Sequence, residues 1–411
     1  MEATKGSHRK ISDAAILAKK FVSKIAKAQN TTQRLADIVE YVQDSVKVIW
    51  VEVGNDANAF TIFETLNDRG LMLAISDLLK NYLFGRSDDR LPEVQQRWMN
   101  MMGALDLLDD EGIAVTYIRH MWSSKHGLVR EKELYSHITK HIRNKNHTVA
   151  FATELSDNAK LYTAILNPSN ELWEKYGDTT RNHMETLNLL RMIQIRPLLL
   201  AVLGNFSVKE IQKALRLLVS WAVRFLIVGG LGGGTLEKHY SESGKAIRDN
   251  KIKTVKQLSE KLKKILPNDA RFENAFSTAT VSKQYLARYY LRVLEKEALG
   301  ESDPELIPND NVEVVNLEHV LPLHPDTTAW NNFDDEDHSF YVRRLGNMAL
   351  LKTRINTDAG NDSFKYKKTF YKKSNYSLTK EISKSKSWDK RAIEDRQTKL
   401  SELAVTAWPL R

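Results

Sequence analysis

Along most of the chain the apolar positions recur at helical spacing. Residues 1–45 read as helix, with Ile11, Ala14, Ile16, Leu17, Phe21 and Ile25 apolar. Val46 to Val53 (VKVIWVEV) is a β-branched run that predicts a short strand. Asp56 is placed to cap a helix to about Asn67, Asn67-Asp68-Arg69-Gly70 breaks it, and Ser76 offers an N-cap for a helix over 77–84. From about Leu91 to Leu299 nearly everything reads as amphipathic helix: 92–106, 113–123, 130–143, 147–165, 182–203, 207–228, 253–266 and 280–298. Gly229-Gly230 and Gly232-Gly233-Gly234 interrupt the series. No Gly-Lys-Ser/Thr follows them and no strand clearly precedes them, so they read as a helix-to-helix hinge rather than a phosphate loop.

The pattern changes at Gly300 to Asp310 (GESDPELIPND), which is rich in Pro, Asp and Glu and marks a domain boundary. Beyond it, Val312 to Leu317 is a β-like run, Met348 to Leu351 is a second, and helices follow. The expected fold is mainly α. A helical N-terminal and middle region with a short strand remnant precedes a small α+β domain, with boundaries at 1–90, 91–300 and 311–411.

Composition narrows this picture. At 411 residues the chain is too long for one ordinary core, and 42% hydrophobic content is too high for disorder. No apolar run reaches about 18 residues, so no membrane partner is expected. There is no apolar segment behind a basic start and no cysteine, which excludes a secretory signal, disulfides and a cysteine-built zinc site and points to the cytoplasm. The net charge of +9 is uneven: residues 341–411 hold 17 Lys+Arg against 7 Asp+Glu. Such a concentration is what a phosphate-binding surface looks like in sequence, although a solvated lysine-rich face looks the same.

The same segment carries candidate chemistry. Val314-Val315-Asn316-Leu317-Glu318-His319-Val320-Leu321-Pro322 delivers a carboxylate and an imidazole at the end of a strand. Leu345-Gly346-Asn347-Met348-Ala349-Leu350-Leu351 follows, then Asn356 nine residues after Asn347. Phosphodiester hydrolysis needs an activated water, a divalent metal and charge neutralisation at the leaving oxygen. A neutral imidazole can take the proton of water, and one carboxylate with one amide oxygen suits a hard ion such as Mg²⁺. A second Asn can hold the loop. Adjacent strand residues point to opposite faces, so Glu318 and His319 share a site only if the strand ends there.

The ordered set, with Asn361, Phe364 and Lys367, then Trp388, Ile393, Arg396 and Trp408, resembles the C-terminal HNH domain of GmrSD-type restriction endonucleases. The resemblance implies a ββα-metal fold that uses Mg²⁺ or Mn²⁺ to cut DNA. It makes His319 the general base, Glu318 the acidic metal ligand, Asn347 the residue orienting loop and base, and Asn356 the second metal ligand, with Asn361 as rival. Lys365, Lys367 and Lys368 are candidates for phosphate contact, though their spacing fits a solvated helix face equally well. His324 and His338 match no motif.

Upstream, Phe63-Glu64-Thr65-Leu66-Asn67-Asp68-Arg69-Gly70 with Leu73, Asp77, Leu78, Lys80 and Asn81 resembles the ParB-like module of the same family. The DGQQR motif that normally lies upstream is absent, so the module is expected to be truncated and no nucleotide cofactor is expected. Asp68, Arg69 and Lys80 face either a nucleotide or partner, or merely a tight turn and a helix surface. The expected function is a metal-dependent DNA endonuclease of an anti-phage restriction system, acting on modified DNA and partnered by a separate DGQQR-bearing sensor subunit. The alternative is a non-catalytic DNA-binding or regulatory subunit. The joint presence of Glu318, His319, Asn347 and Asn356 favours the enzyme.

Overall fold

The structure is a computed structural model that describes residues 6–26, 31–47, 75–108, 110, 112–300 and 311–411. Val46 and Lys47 carry no regular structure; the rest of the expected strand, the helix after Asp56 and the Asn67–Gly70 turn with Asp68 and Arg69 lie outside the described residues. The chain divides into two compact units, 1–71 and 72–411. In the first, α1 (Gly6–Ala26) and α2 (Thr31–Ser45) replace the single helix expected over 1–45. Ile11, Leu17 and Phe21 of α1 are exposed.

The second unit is mainly α. It opens with α3 (Ile75–Gly85), α4 (Leu91–Leu105), α5 (Ile113–His126), α6 (Glu131–His141) and α7 (Lys145–Leu166). These follow the apolar spacing closely. Pro92 sits in the first turn of α4, where its missing N–H is harmless, and Asn144 caps α7 by accepting from His147 N.

The helix expected over 182–203 is two helices, α8 (Asp178–Leu189) and α9 (Arg196–Asn205). The apolar pattern runs straight across the break. Backbone chemistry makes it: Arg191 adopts a left-handed φ of 55°, and Pro197 opens the next helix. Next come α10 (Val208–Val228) and α11 (Gly233–Arg248), the latter starting within the glycine run expected as a hinge. The buried face of α11 is built from Leu236, Tyr240, Ser243, Gly244 and Ile247, and its small residues hide the periodicity. A Cβ on Gly244 would stand 3.2 Å from Pro197 O and 3.3 Å from Ser124 O, so the small residue permits close helix approach. The body closes with α12 (Val255–Leu262), α13 (Asp269–Phe276) and α14 (Gln284–Leu299).

After the boundary come β1 (Val315–His319), α15 (Asp335–Tyr341), β2 (Met348–Lys352), α16 (Thr353–Ala359), α17 (Phe364–Lys372), α18 (Ser377–Ile382) and α19 (Lys390–Ala407). β1 and β2 form a two-stranded antiparallel sheet. One face, with Val315, Leu317, Met348 and Leu350, joins the apolar core of the helical body. The other, with Ala349 and Leu351, meets Val320, Leu321, Tyr371, Trp388 and Ile393 in a second core. β2 is buried on both faces and its sequence is nearly continuously apolar, whereas β1 alternates Val315 and Leu317 with Asn316 and Glu318. Trp408, just after α19, packs among Phe272, Phe276, Tyr289 and Tyr290 of the body.

Candidate active site

The register pairs Glu318 with Ala349 and His319 with Met348. Alternation sends Leu317 to the body and Glu318 to the second core. The strand ends at His319, as a shared site requires. Glu318 is 4% exposed, whereas His319 is half-buried at the exit. Burial pushes the imidazole down from its ordinary value to about 4, and the positive charges of Lys367 and Arg343 add to this. His319 is therefore neutral at neutral pH.

The helix α17 closes over Glu318. Phe364, Lys367 and Tyr371 share one face of it, and Lys367 is fully buried. Its ammonium donates to Glu318 Oε1 at 2.8 Å, His319 O at 2.8 Å and Val320 O at 3.3 Å. Tyr371 donates to the same Oε1 at 2.5 Å. Burial pushes the Glu318 carboxyl up and the Lys367 ammonium down, and their contact pulls each part of the way back. Lys367 thus faces the carboxylate rather than DNA, which corrects its reading as a phosphate contact. Of the other two lysines, Lys365 is exposed, while half-buried Lys368 donates to Ser385 O at 2.7 Å.

Asn347 is fully buried and uses all four of its hydrogen-bonding positions. Its Nδ2 donates to Leu321 O and Val342 O, and its Oδ1 accepts from Leu321 N and Trp388 Nε1. Its own carbonyl accepts from Val320 N at 2.9 Å. Asn347 therefore fixes the loop leaving His319 and has nothing left for a substrate. It is a positioning residue. The neighbouring Gly346 admits no side chain, because a Cβ would stand 2.3 Å from Ile393 O. Buried Arg396 holds the carbonyls of Leu345, Gly346 and Met348, so α19 locks the turn into β2.

Asn356 lies within α16, and its Nδ2 donates to Leu317 O at 3.1 Å. This brings its amide to the residue before Glu318 and leaves Oδ1 without a donor among the described residues. Asn361 is exposed and makes no comparable contact with β1 among the described residues. Lys80, far away on α3, pairs with Asp77 at 3.1 Å on a partly exposed helix face.

Tyr371 was not singled out by the sequence. The signal was its place four residues after Lys367, on the stripe begun by Phe364. Among the described residues no three His, Asp or Glu side chains gather as a metal cage. The oxygens of Glu318 and Asn356 suit a two-ligand site for a hard cation that keeps water and takes phosphate for its remaining positions. Both side-chain donors to Glu318 end on Oε1, and the His319 backbone N–H also bonds this carboxylate.

A small antiparallel pair of strands is closed by a helix, with a carboxylate, an imidazole and an amide near the end of β1. Residues 266–403 match the family model of the GmrSD restriction endonucleases, C-terminal domain. The chain therefore carries a domain similar to the C-terminal domain of the GmrSD restriction endonucleases. The match begins upstream of the 300–310 boundary and takes in α13 and α14, in keeping with the shared core. No curated protein matches the chain. No helix among the described residues is long and apolar enough to cross a membrane.

Proposed function

We propose that the hairpin site hydrolyses DNA phosphodiester bonds by an HNH-type, metal-dependent reaction with His319 as general base. The observation that carries this reading is a neutral, half-buried His319 at the exit of β1, directly after Glu318, within the matched domain. The imidazole accepts a proton from water as the water oxygen attacks phosphorus and the bond to the leaving oxygen breaks. Lys367 and Asn347 act earlier, fixing the backbone on either side of the reacting edge. Glu318 and Asn356 would hold Mg²⁺ or Mn²⁺, which would supply charge stabilisation at the scissile phosphate and the leaving oxygen. The basic surface of 341–411, with Lys365 on it, draws the DNA backbone to the site.

We extend the proposal to a cytoplasmic anti-phage restriction system in which modified DNA is the substrate and a separate DGQQR-bearing subunit supplies sensing. The test is plasmid cleavage with Mg²⁺ or Mn²⁺, wild type against His319→Ala. A loss of about 10²–10⁴-fold is expected on removing the base. Equal cleavage by both proteins, or none by either on modified and unmodified DNA, would sink the reading.

A further inference from the structure

We propose that Lys367 is a built-in counter-cation that positions Glu318 and the β1 exit, so that the site is assembled before any metal binds. The inference rests on the reading above in one respect, that Glu318 faces a divalent cation.

The geometry is specific. The Lys367 and Glu318 side chains are 1% and 5% exposed, so little water screens the pair. All three ammonium donors are spent, on Glu318 Oε1, His319 O and Val320 O. One ammonium thus ties down the carboxylate and the two carbonyls that follow it, bracketing His319. Tyr371, one turn along α17, holds the same oxygen. From the other side Asn347 grips Val320 N and both backbone groups of Leu321. The chain around His319 is therefore pinned from two elements that approach it independently.

Charge gives this arrangement its meaning. A carboxylate buried without a counter-ion is very costly, and where a metal is the sole counter-ion, folding depends on that metal. Here the protein supplies the counter-ion. Folding is thereby separated from metal loading, and neither Lys367 nor Tyr371 occupies Oε2. The consequence is weaker cation affinity, because a fixed positive charge sits beside the ligand. Lys367 is a positioning residue, since it acts through Glu318 and the backbone of His319.

The test compares wild type, Lys367→Met and Glu318→Gln/Lys367→Met by thermal melting in EDTA and in Mn²⁺, with Mn²⁺ binding followed by calorimetry. Methionine keeps the length of the stem and removes the charge. Wild type should be fully folded in EDTA and gain less from Mn²⁺ than Lys367→Met does, in proportion to its weaker binding. Lys367→Met should melt about 5–15 °C lower in EDTA, recover part of the loss in Mn²⁺, and bind Mn²⁺ about tenfold more tightly than wild type. The double variant, neutral at both positions, should regain most of the stability in EDTA and ignore Mn²⁺. It also serves if Lys367→Met does not fold alone.

A Lys367→Met protein as stable as wild type in EDTA overturns the proposal. So does one that is destabilised but gains nothing from Mn²⁺ or from Glu318→Gln, because Lys367 would then be packing only. The nuclease reading fails separately. If wild type cuts no DNA while Lys367→Met shows the Mn²⁺ rescue through Glu318, the counter-cation stands and the nuclease does not.

Discussion

Two of the buried cations that fasten the C-terminal part of this chain, Arg224 and Lys367, are built on different principles. Arg224, in α10 of the helical body, donates to Trp408 O at 2.8 Å, Pro267 O at 3.0 Å and Asp269 Oδ1 at 2.6 Å, and lies 4.7 Å above the Phe272 ring. Its carboxylate partner is 57% exposed, so water screens that pair. Lys367 instead meets a carboxylate that is 5% exposed. Arg224 holds the fold through carbonyls and ring contact, and its ion pair is incidental. Lys367 holds a charge that has no other counterpart. Dry charge pairs concentrate where chemistry is done, because fields are strong there.

The largest effect that separates these principles is expected at Arg224. Arg224→Leu strands the carbonyls of Trp408 and Pro267 in the core and should cost about 3–5 kcal/mol. Asp269→Ala removes only a screened charge and should cost less than about 1 kcal/mol. Urea unfolding midpoints of both variants measure the two costs. Equal losses would mean that the Arg224 ion pair matters as much as its carbonyls, and the contrast with Lys367 would collapse.

That contrast also marks how far the sequence could be read. The helices from α4 to α7 and α10 were legible because one apolar stripe at period 3.6 suffices to define them. The break at Arg191 was not, because the apolar pattern continues through it and only a left-handed residue and Pro197 interrupt the backbone. Helix α11 starts in a glycine run, and Ser241, Ser243 and Gly244 dilute the apolar stripe of Leu236, Tyr240 and Ile247 where helices touch closely. In the site, Glu318, His319, Asn347 and Asn356 were legible as types in order along the chain. The burial of Lys367 was not, because counting lysines assigns each one to the surface. Its place three residues after Phe364 and four before Tyr371 put it on the apolar stripe. The expected linkage of Asn347 to the base resolves into contacts with the backbone of Leu321.

A third kind of group in the helical body is half-buried and, among the described residues, meets positive charges rather than a counter-charge. Burial pushes His126 and His183 down to about 4 each, and His183 Nδ1 has no partner. An unfolded imidazole titrates near 6.5. Between about pH 4 and 6.5 the unfolded chain therefore binds more protons than the folded one, and stability rises with pH. The contribution is fully present above about pH 6.5 and is lost as the pH falls towards 4. Allowing for solvent screening at these partly buried rings, unfolding at pH 5 should be easier than at pH 7 by about 1–3 kcal/mol. Urea midpoints across this range should slope for wild type and less steeply for His126→Gln/His183→Gln, with His120 and His319, lowered in the same direction, giving the remainder. Equal slopes would refute the assignment.

The smallest effect concerns the lysines of α17 that flank the dry one. Lys365 is exposed, whereas the Lys368 ammonium is already committed to Ser385 O at 2.7 Å. If DNA lies along this basic surface, Lys365→Ala should weaken duplex binding about threefold and reduce the slope of log affinity against log salt by about 1. Lys368→Ala should change that slope by less, since its charge is held against the protein. Fluorescence anisotropy of one duplex between about 50 and 200 mM salt reads both. A solvated cation exchanges its counter-ions with DNA and leaves a salt signature, and a bonded one does so weakly. Lys367, sealed against Glu318, should leave none. A Lys368→Ala slope as shallow as that of Lys365→Ala would show that hydrogen bonding to Ser385 does not withdraw a lysine from the DNA surface, and exposure alone would then sort these three cations.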